Sequence, residues 1–214
     1  MEDDKGLMKT GTTTVGLVCK DGIVLAADKR VTSGYLISYK RFDKIISITD
    51  NIAVTVAGTV SDVQLLVKYL KAEIRLKDIR TDRQTNVKEA ANLLATFVYS
   101  NIRKFSLIPG ISHFLVGGKD SEGFHLYDLS PDGSIVDVDD YISSGSGSVV
   151  VFGVLETLYR KGLSVEEGVK LAAKSINAAV QRDIASGNGI DILTITKDSI
   201  KKVYSKELEL KIEL

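Results

Sequence analysis

The sequence predicts an α+β domain in which antiparallel sheets are covered by pairs of helices. Strands occur as neighbouring runs joined by tight-turn residues, the mark of hairpins. Two pairs of amphipathic helical stripes separate these groups, so the order is strands, two helices, strands, two helices, strands, not alternating βαβ units. With 214 residues, 44% of them hydrophobic, the chain has the material for a large core. No Pro/Gly/Ser-rich linker, repeat or low-complexity tract divides it, so a single domain is expected.

The first hairpin is read from two β-rich runs, Thr13 to Cys19 and Ile23 to Ala27, around Lys20-Asp21-Gly22. A second spans Lys44 to Thr49 and Ile52 to Ala57. Taking Asp50-Asn51 as a two-residue turn sets Thr49 against Ile52 and Lys44 against Ala57, which brings Lys44 and Gly58 to one end of the sheet. The period then changes. Ser61 with Gln64 at capping-box spacing opens a helix whose stripe is Val63, Leu66, Val67, Leu70 and Ile74. Asn86 with Glu89 opens another, carrying Ala90, Leu93, Leu94, Phe97 and Val98 and ending before Pro109-Gly110.

Short strands follow at His113 to Gly117, Phe124 to Asp128 and Ile135 to Val138. Beyond a Gly/Ser loop, Val149 to Arg160 reads as a third helix stopped by Gly162. Ser164 and Glu167 cap a fourth, with the stripe Val165, Val169, Ala172, Ala173, Ile176 and Val180. Ile190 to Thr196 and Ile200 to Tyr204 form the last strand pair. The tail, Leu208, Leu210, Ile212 and Leu214 alternating with charged residues, favours an extended segment.

Composition narrows the function. Lys+Arg and Asp+Glu stand at 28 each, so no bulk field draws the chain to nucleic acid or an anionic membrane. The longest uncharged stretch, Tyr141 to Leu155, is too short for a membrane span. The opening MEDDKGLMKTG lacks the apolar core of a signal peptide, and Cys19 alone cannot form an internal disulfide; a cytoplasmic protein is expected. One cysteine and two histidines, His113 and His125, provide no zinc spacing, so neither metal nor cofactor is expected. Gly145-Ser146-Gly147-Ser148 matches neither a P-loop nor GxGxxG and reads first as a helix entry. Neither histidine sits in a nucleophile elbow, and both are read as structural. The mixed run Arg75, Lys77, Arg80, Arg83 with Glu73, Asp78 and Asp82 is a solvated helix face.

Gly11 followed by Thr12, Thr13 and Thr14 is the unusual local feature. Threonine's preference for strands accounts for the run on its own. A hydroxyl nucleophile, however, needs a base, and a cut after Gly11 would give Thr12 an α-amine of pKa about 7.7–8.0 beside its own hydroxyl. Gly11 suits such a cut because, without a Cβ, its carbonyl can make a strained approach to that hydroxyl.

The strings TGTTTVG, AADKRVTSG (Ala26 to Gly34), Lys44, VAG (Val56 to Gly58), GSGS (Gly145 to Ser148) and QRDIASGNG (Gln181 to Gly189), in this order over nearly the whole chain, resemble the proteasome core-particle β subunit of archaeal type. The resemblance implies the N-terminal-nucleophile hydrolase fold, a four-layer αββα sandwich. It also implies a threonine endopeptidase that removes its own propeptide, Met1 to Gly11, and leaves residues 12–214 as the catalytic domain.

Residue by residue, Thr12 matches the nucleophile and Asp28 and Lys44 the carboxylate and ammonium beside it. An ordinary ion pair is the other reading of Asp28 and Lys44. Ser146 and Asp183 match the groups around the N-terminal amine, Ser186 the supporting hydroxyl, and Gly58 the oxyanion-binding backbone N–H. Val31, Phe42, Val56 and Val60 match the primary pocket, with Thr32 and Gly58 holding the peptide backbone. Core packing is the alternative for each. An apolar pocket implies cleavage after hydrophobic residues, and bulky Phe42 favours smaller ones. The implied partners are β subunits in heptameric rings, α-subunit rings, an activating ATPase and unfolded polypeptide substrates. Two rival functions are a non-catalytic, unprocessed structural subunit of the β ring and an amidase of the same fold. The full set Gly11, Thr12, Asp28, Lys44, Ser146, Asp183 and Ser186 speaks against the first, and the lack of fixed polar groups in the pocket against the second.

Overall fold

The computed structural model describes residues 11–208. The expected propeptide, apart from Gly11, and the alternating tail after Leu208 lie outside the described residues. In chain order the elements are β1 (Thr13–Cys19), β2 (Gly22–Asp28), β3 (Val31–Ser33), β4 (Leu36–Tyr39), β5 (Ile45–Ser47), β6 (Ile52–Gly58), α1 (Val60–Thr81) and α2 (Val87–Ile102). They continue with β7 (Ser112–Asp120), β8 (Gly123–Leu129), β9 (Ile135–Asp137), β10 (Tyr141–Gly145), α3 (Ser148–Leu158), α4 (Val165–Arg182), β11 (Gly189–Thr196) and β12 (Ile200–Glu207).

One five-stranded sheet runs β10-β1-β2-β11-β12, the other β5-β6-β7-β8-β9, and β3-β4 forms a separate ribbon. All pairings are antiparallel. Helices α3 and α4 cover the first sheet through Val15, Leu17, Val24, Leu155 and Ile176. Helices α1 and α2 cover the second through Val54, Val56, Leu70, Leu94 and Val116. Between the sheets lie Ile23, Leu25, Leu115, Leu126 and Ile195. The result is the four-layer αββα sandwich. Because both faces of the first sheet are covered, β1 and β2 are buried along nearly their whole length and read as continuous apolar runs. No described helix is long and apolar enough to cross a membrane.

The capping boxes at Asn86 and Ser164 form as the sequence predicts, each side chain accepting the N–H three residues on. Ser61 does not cap α1. The N-cap is Thr59, whose N–H still bonds Ile111 O as the last rung of the second sheet, so the helix begins one residue later and Ser61 falls within its first turn. Helix α4 is rolled from its expected stripe. Its deepest face is Gly168, Leu171, Ala172, Ser175, Ile176 and Ala179, while Val165, Val169, Ala173 and Val180 flank it. Small residues set this roll: a Cβ at Gly168 would stand 2.7 Å from Cys19 Sγ, so the helix lies almost on the sheet backbone.

The second hairpin is also corrected. Ile45 faces Thr55 and Val56 N donates to Lys44 O, so Lys44 stands opposite Val56 and not Ala57. Asn51 O is held by Lys119 N on β7, and Thr49 joins Asp50 and Asn51 in the turn, which shifts the register by one. Three strands carry no clear signal in the sequence. Val31–Ser33 is only three residues long, its partner Leu36–Tyr39 is exposed throughout and shows no buried face, and Tyr141–Gly145 looks like the approach to a Gly/Ser loop.

Candidate active site

Three consecutive threonines open the first strand, and the fold treats them differently. Pairing of Thr14 with Ala27 brings Thr13 beside Asp28, whose Oδ1 accepts Thr13 N–H at 2.9 Å. The Thr13 and Thr14 hydroxyls are taken up by Ser186 Oγ at 2.6 Å and Ser144 Oγ at 2.7 Å. The buried Thr12 hydroxyl turns into a cleft instead, where it donates to Gly11 O at 2.7 Å.

Asp28 is 1% exposed and its carboxylate is held by four donors. Lys44 Nζ lies 2.6 Å from Oδ1, which also accepts Thr13 N–H. Arg30 N and Gly187 N each donate to Oδ2 at 3.0 Å. These bonds fix the carboxylate, which in turn holds the Lys44 side chain in place. Burial pushes the Lys44 ammonium below the ordinary lysine range, and the charge and hydrogen bond of Asp28 offset this only in part.

On the other side of Thr12, Ser146 Oγ donates to Asp183 Oδ2 at 2.7 Å and stands 3.4 Å from both Thr12 N and Thr12 O. Ser186 Oγ reaches the same Asp183 oxygen at 2.5 Å. The glycines of the 145–147 loop are explained by close approach: a Cβ on Gly145 would stand 2.0 Å from Thr12 O, and one on Gly147 2.0 Å from Thr13 Oγ1. The Arg30 guanidinium straddles the 184–188 turn, donating to Ile184 O and Asn188 Oδ1, both at 2.8 Å.

The cleft itself is narrow and opens to solvent. Thr12, Lys44 and Gly58 line it together with Val31, Phe42, Val56 and Val60. Residue 11 lies in it, its N–H donating to Thr32 Oγ1 at 3.0 Å. Gly11 owes its identity to packing and not to backbone strain, because a Cβ there would stand 1.7 Å from Ala185 Cβ. Ladder alternation aims the Gly58 N–H. Thr59 N bonds toward β7 and Val56 N toward Lys44, so the N–H of Gly58 points to the Lys44 side, where the chain beyond has already turned to bond Lys29.

The residues matched to the nucleophile, its partners, the oxyanion site and the pocket therefore fall in one region around Thr12. Sequence reasoning missed Thr13, Arg30 and Gly187, which hold Asp28, and Ala57 and Val63, which complete the cleft wall. Arg30 and Gly187 lie inside the strings AADKRVTSG and QRDIASGNG, so the signal was present without a role attached. Val63 carried only a helix-stripe signal. His113 and His125 are engaged elsewhere in the second sheet, with Asp128 at 2.6 Å and Asp120 at 3.1 Å. Burial pushes the Cys19 thiol up to about 12, which removes it as a nucleophile.

Two antiparallel sheets between helix layers, with the first strand opening on a buried threonine, are the N-terminal-nucleophile hydrolase fold. The chain belongs to the proteasome subunit family, whose model matches residues 8–195. It is 44% identical over 199 residues to proteasome subunit beta of Ferroglobus placidus, covering 93% of each chain. It is 42% identical over 205 residues to proteasome subunit beta of Methanothermobacter thermautotrophicus, covering 96% of this chain and 95% of the relative. Proteasome subunit beta of Methanobrevibacter smithii is 41% identical over 206 residues, 96% of both chains.

Proposed function

We propose that this chain is a threonine endopeptidase subunit of the proteasome core particle that activates itself by cutting Gly11–Thr12. The observation that carries this is the placement of Thr12. Its hydroxyl faces a residue 11 held through both its N–H and its C=O, in the cleft lined by Lys44, which Asp28 holds from behind. The Thr12 hydroxyl attacks the Gly11 carbonyl, and the acyl group passes from the amide nitrogen to the hydroxyl oxygen. That shift breaks the C–N bond and, as the hydroxyl proton passes to the nitrogen, frees the Thr12 α-amine; water then hydrolyses the ester, releasing residues 1–11 as a carboxylate and regenerating the hydroxyl.

Before the cut Thr12 N is an amide and cannot serve as base. Lys44, held by Asp28, lines the cleft as an ammonium whose charge lowers the proton affinity of the Thr12 hydroxyl. After the cut the α-amine lies beside Ser146 and Asp183, which orient it. The Gly58 N–H stabilises the oxyanion. Incoming peptides repeat the chemistry through an ester on Thr12. The residue before the cut enters the cleft lined by Val31, Phe42, Val56 and Val60, so cleavage follows hydrophobic residues, with Phe42 limiting their size. In this reading the subunit acts within heptameric β rings flanked by α rings, fed by an ATPase with unfolded polypeptide, in the cytoplasm; membership of the proteasome subunit family supports assembly with other subunits.

The test is the intact mass of the assembled protein beside peptide hydrolysis. The wild type should lose residues 1–11 and cut peptides; Thr12→Ala should assemble, keep them and cut nothing. Rings that retain residues 1–11 and leave peptides uncut would show a structural ring subunit instead.

A further inference from the structure

Residues 40–44 carry two side chains of the cleft, Phe42 and Lys44, yet belong to no strand. Lys44 is secured from within by Asp28 and by the Val56 N–H. Phe42 depends on its surroundings differently: its N–H donates to Lys29 O at 3.0 Å, and its ring packs at the edge of the core beneath α1.

On the outer side the same segment meets a network of charges from the last two strands. The Lys29 ammonium, 8% exposed, lies 2.7 and 2.8 Å from the two oxygens of buried Asp191 on β11 and 4.0 Å from Asp43. Lys202 on β12 reaches Asp43 at 3.3 Å and Asp191 at 3.7 Å. One step along, Arg41 pairs with Glu207 at 2.6 Å.

Lys202 gains this position through a bulge. Asp191 faces Ser205, but the register slips after Ile192, so Leu193 faces Lys202 and Val203 is the extra residue. Unbroken alternation would set Val203 opposite Leu193 and turn Lys202 to the other face. The slip puts the Lys202 side chain on the same face as Asp191, toward residues 41–43.

We propose that Lys202 and Asp43, backed by the buried Lys29–Asp191 pair, are specificity-determining positioning residues: β12 clamps residues 40–44 so that Phe42 stands at a fixed depth in the cleft. The inference rests on the reading of that cleft as the site for the residue before the cut. Neither Asp43 nor Lys202 lines the cleft, so their effect passes through Phe42.

The test uses the assembled, self-processed particle carrying Asp43→Asn or Lys202→Gln, with fluorogenic peptides bearing Ala, Leu or Phe before the scissile bond. The Ala:Phe ratio of kcat/KM should shift by about threefold, carried by KM, a modest change because the Asp43–Lys202 pair is exposed. Amide exchange over residues 40–44 should rise by about tenfold. Asp43→Glu and Lys202→Arg, which keep the charges, should restore both readouts. Unchanged exchange in folded Asp43→Asn and Lys202→Gln particles overturns the clamp. Raised exchange with unchanged ratios overturns the specificity role. A wild type that cuts none of the three peptides overturns the reading of the cleft, and exchange then decides the clamp alone.

Discussion

A side chain at residue 11 should slow the proposed first cut, for a reason that distances supply. A Cβ at position 11 would stand 1.7 Å from Ala185 Cβ and 2.9 Å from Ala185 Cα. Carbons in contact settle about 3.5–4.0 Å apart, so roughly 2 Å of overlap must be relieved. The turn holding Ala185 is the less free of the two segments. Its Gly187 N–H binds Asp28, its Asp183 binds Ser146 and Ser186, and Arg30 spans it. Residue 11 therefore moves, and with it the bonds to Thr32 and to the Thr12 hydroxyl. A misplacement of about 1 Å at reacting atoms costs about 10²-fold in rate. Gly11→Ala should slow loss of residues 1–11 by about two orders of magnitude in an intact-mass time course. Adding Ala185→Gly should recover most of that rate but not all, because the residue 185 backbone still lies 2.9 Å from the new methyl group. A subunit made to start at Thr12 should cut peptides normally whichever residue had preceded it. Processing of Gly11→Ala at the wild-type rate, or no recovery with Ala185→Gly, would refute the steric argument.

Two further outcomes follow from the buried and half-buried charges. Lys44→Ala leaves Asp28 buried without its cation and should lower the denaturant-derived stability by about 3 kcal/mol. Three backbone N–H groups still hold Asp28, which keeps the loss at the low end of such cases. Adding Asp28→Asn should recover part of it without restoring peptide cleavage; an equal stability for Lys44→Ala and wild type would rule out the pairing argument. Glu89 is the second case: hydrogen bonds from Arg83, then Lys77 and the Asn86 N–H, outweigh burial and bring its carboxyl down to about 2. Because the folded value lies below the ordinary 4.5, this stability is complete above pH 4.5 and is lost as pH falls toward 2. Solvent screening reduces it to about 1 kcal/mol, so Glu89→Gln should be about that much weaker at pH 7 and equal to wild type near pH 2. A difference that persists at pH 2 would contradict this assignment.

The legible features of this chain are those whose cause is local. Capping boxes at Asn86 and Ser164 and the helix stripe from Val63 to Ile74 are decided within a turn or two of chain. The site residues were legible through a resemblance spread over the whole chain. Their geometry was not legible, because Thr12 and Asp28 on the first hairpin meet Lys44, Ser146 and Asp183 only through elements far along the chain.

Tertiary structure decided the features that depend on a partner far along the chain. β10 is a strand because β1 offers it an edge, down to the Thr14–Ser144 hydroxyl pair. The Asp50-Asn51 turn gained Thr49 because β7 holds Asn51, moving Lys44 opposite Val56. Helix α4 rolled onto its small residues because only they let it approach the sheet. Gly11 answers to Ala185, at the far end of the chain. Local patterning was enough for an α+β chain with a threonine set before its first strand, since propensity and periodicity act between near neighbours. Register, the roll of helices and the need for glycine at close approaches are properties of surfaces meeting, and only the folded chain contains them.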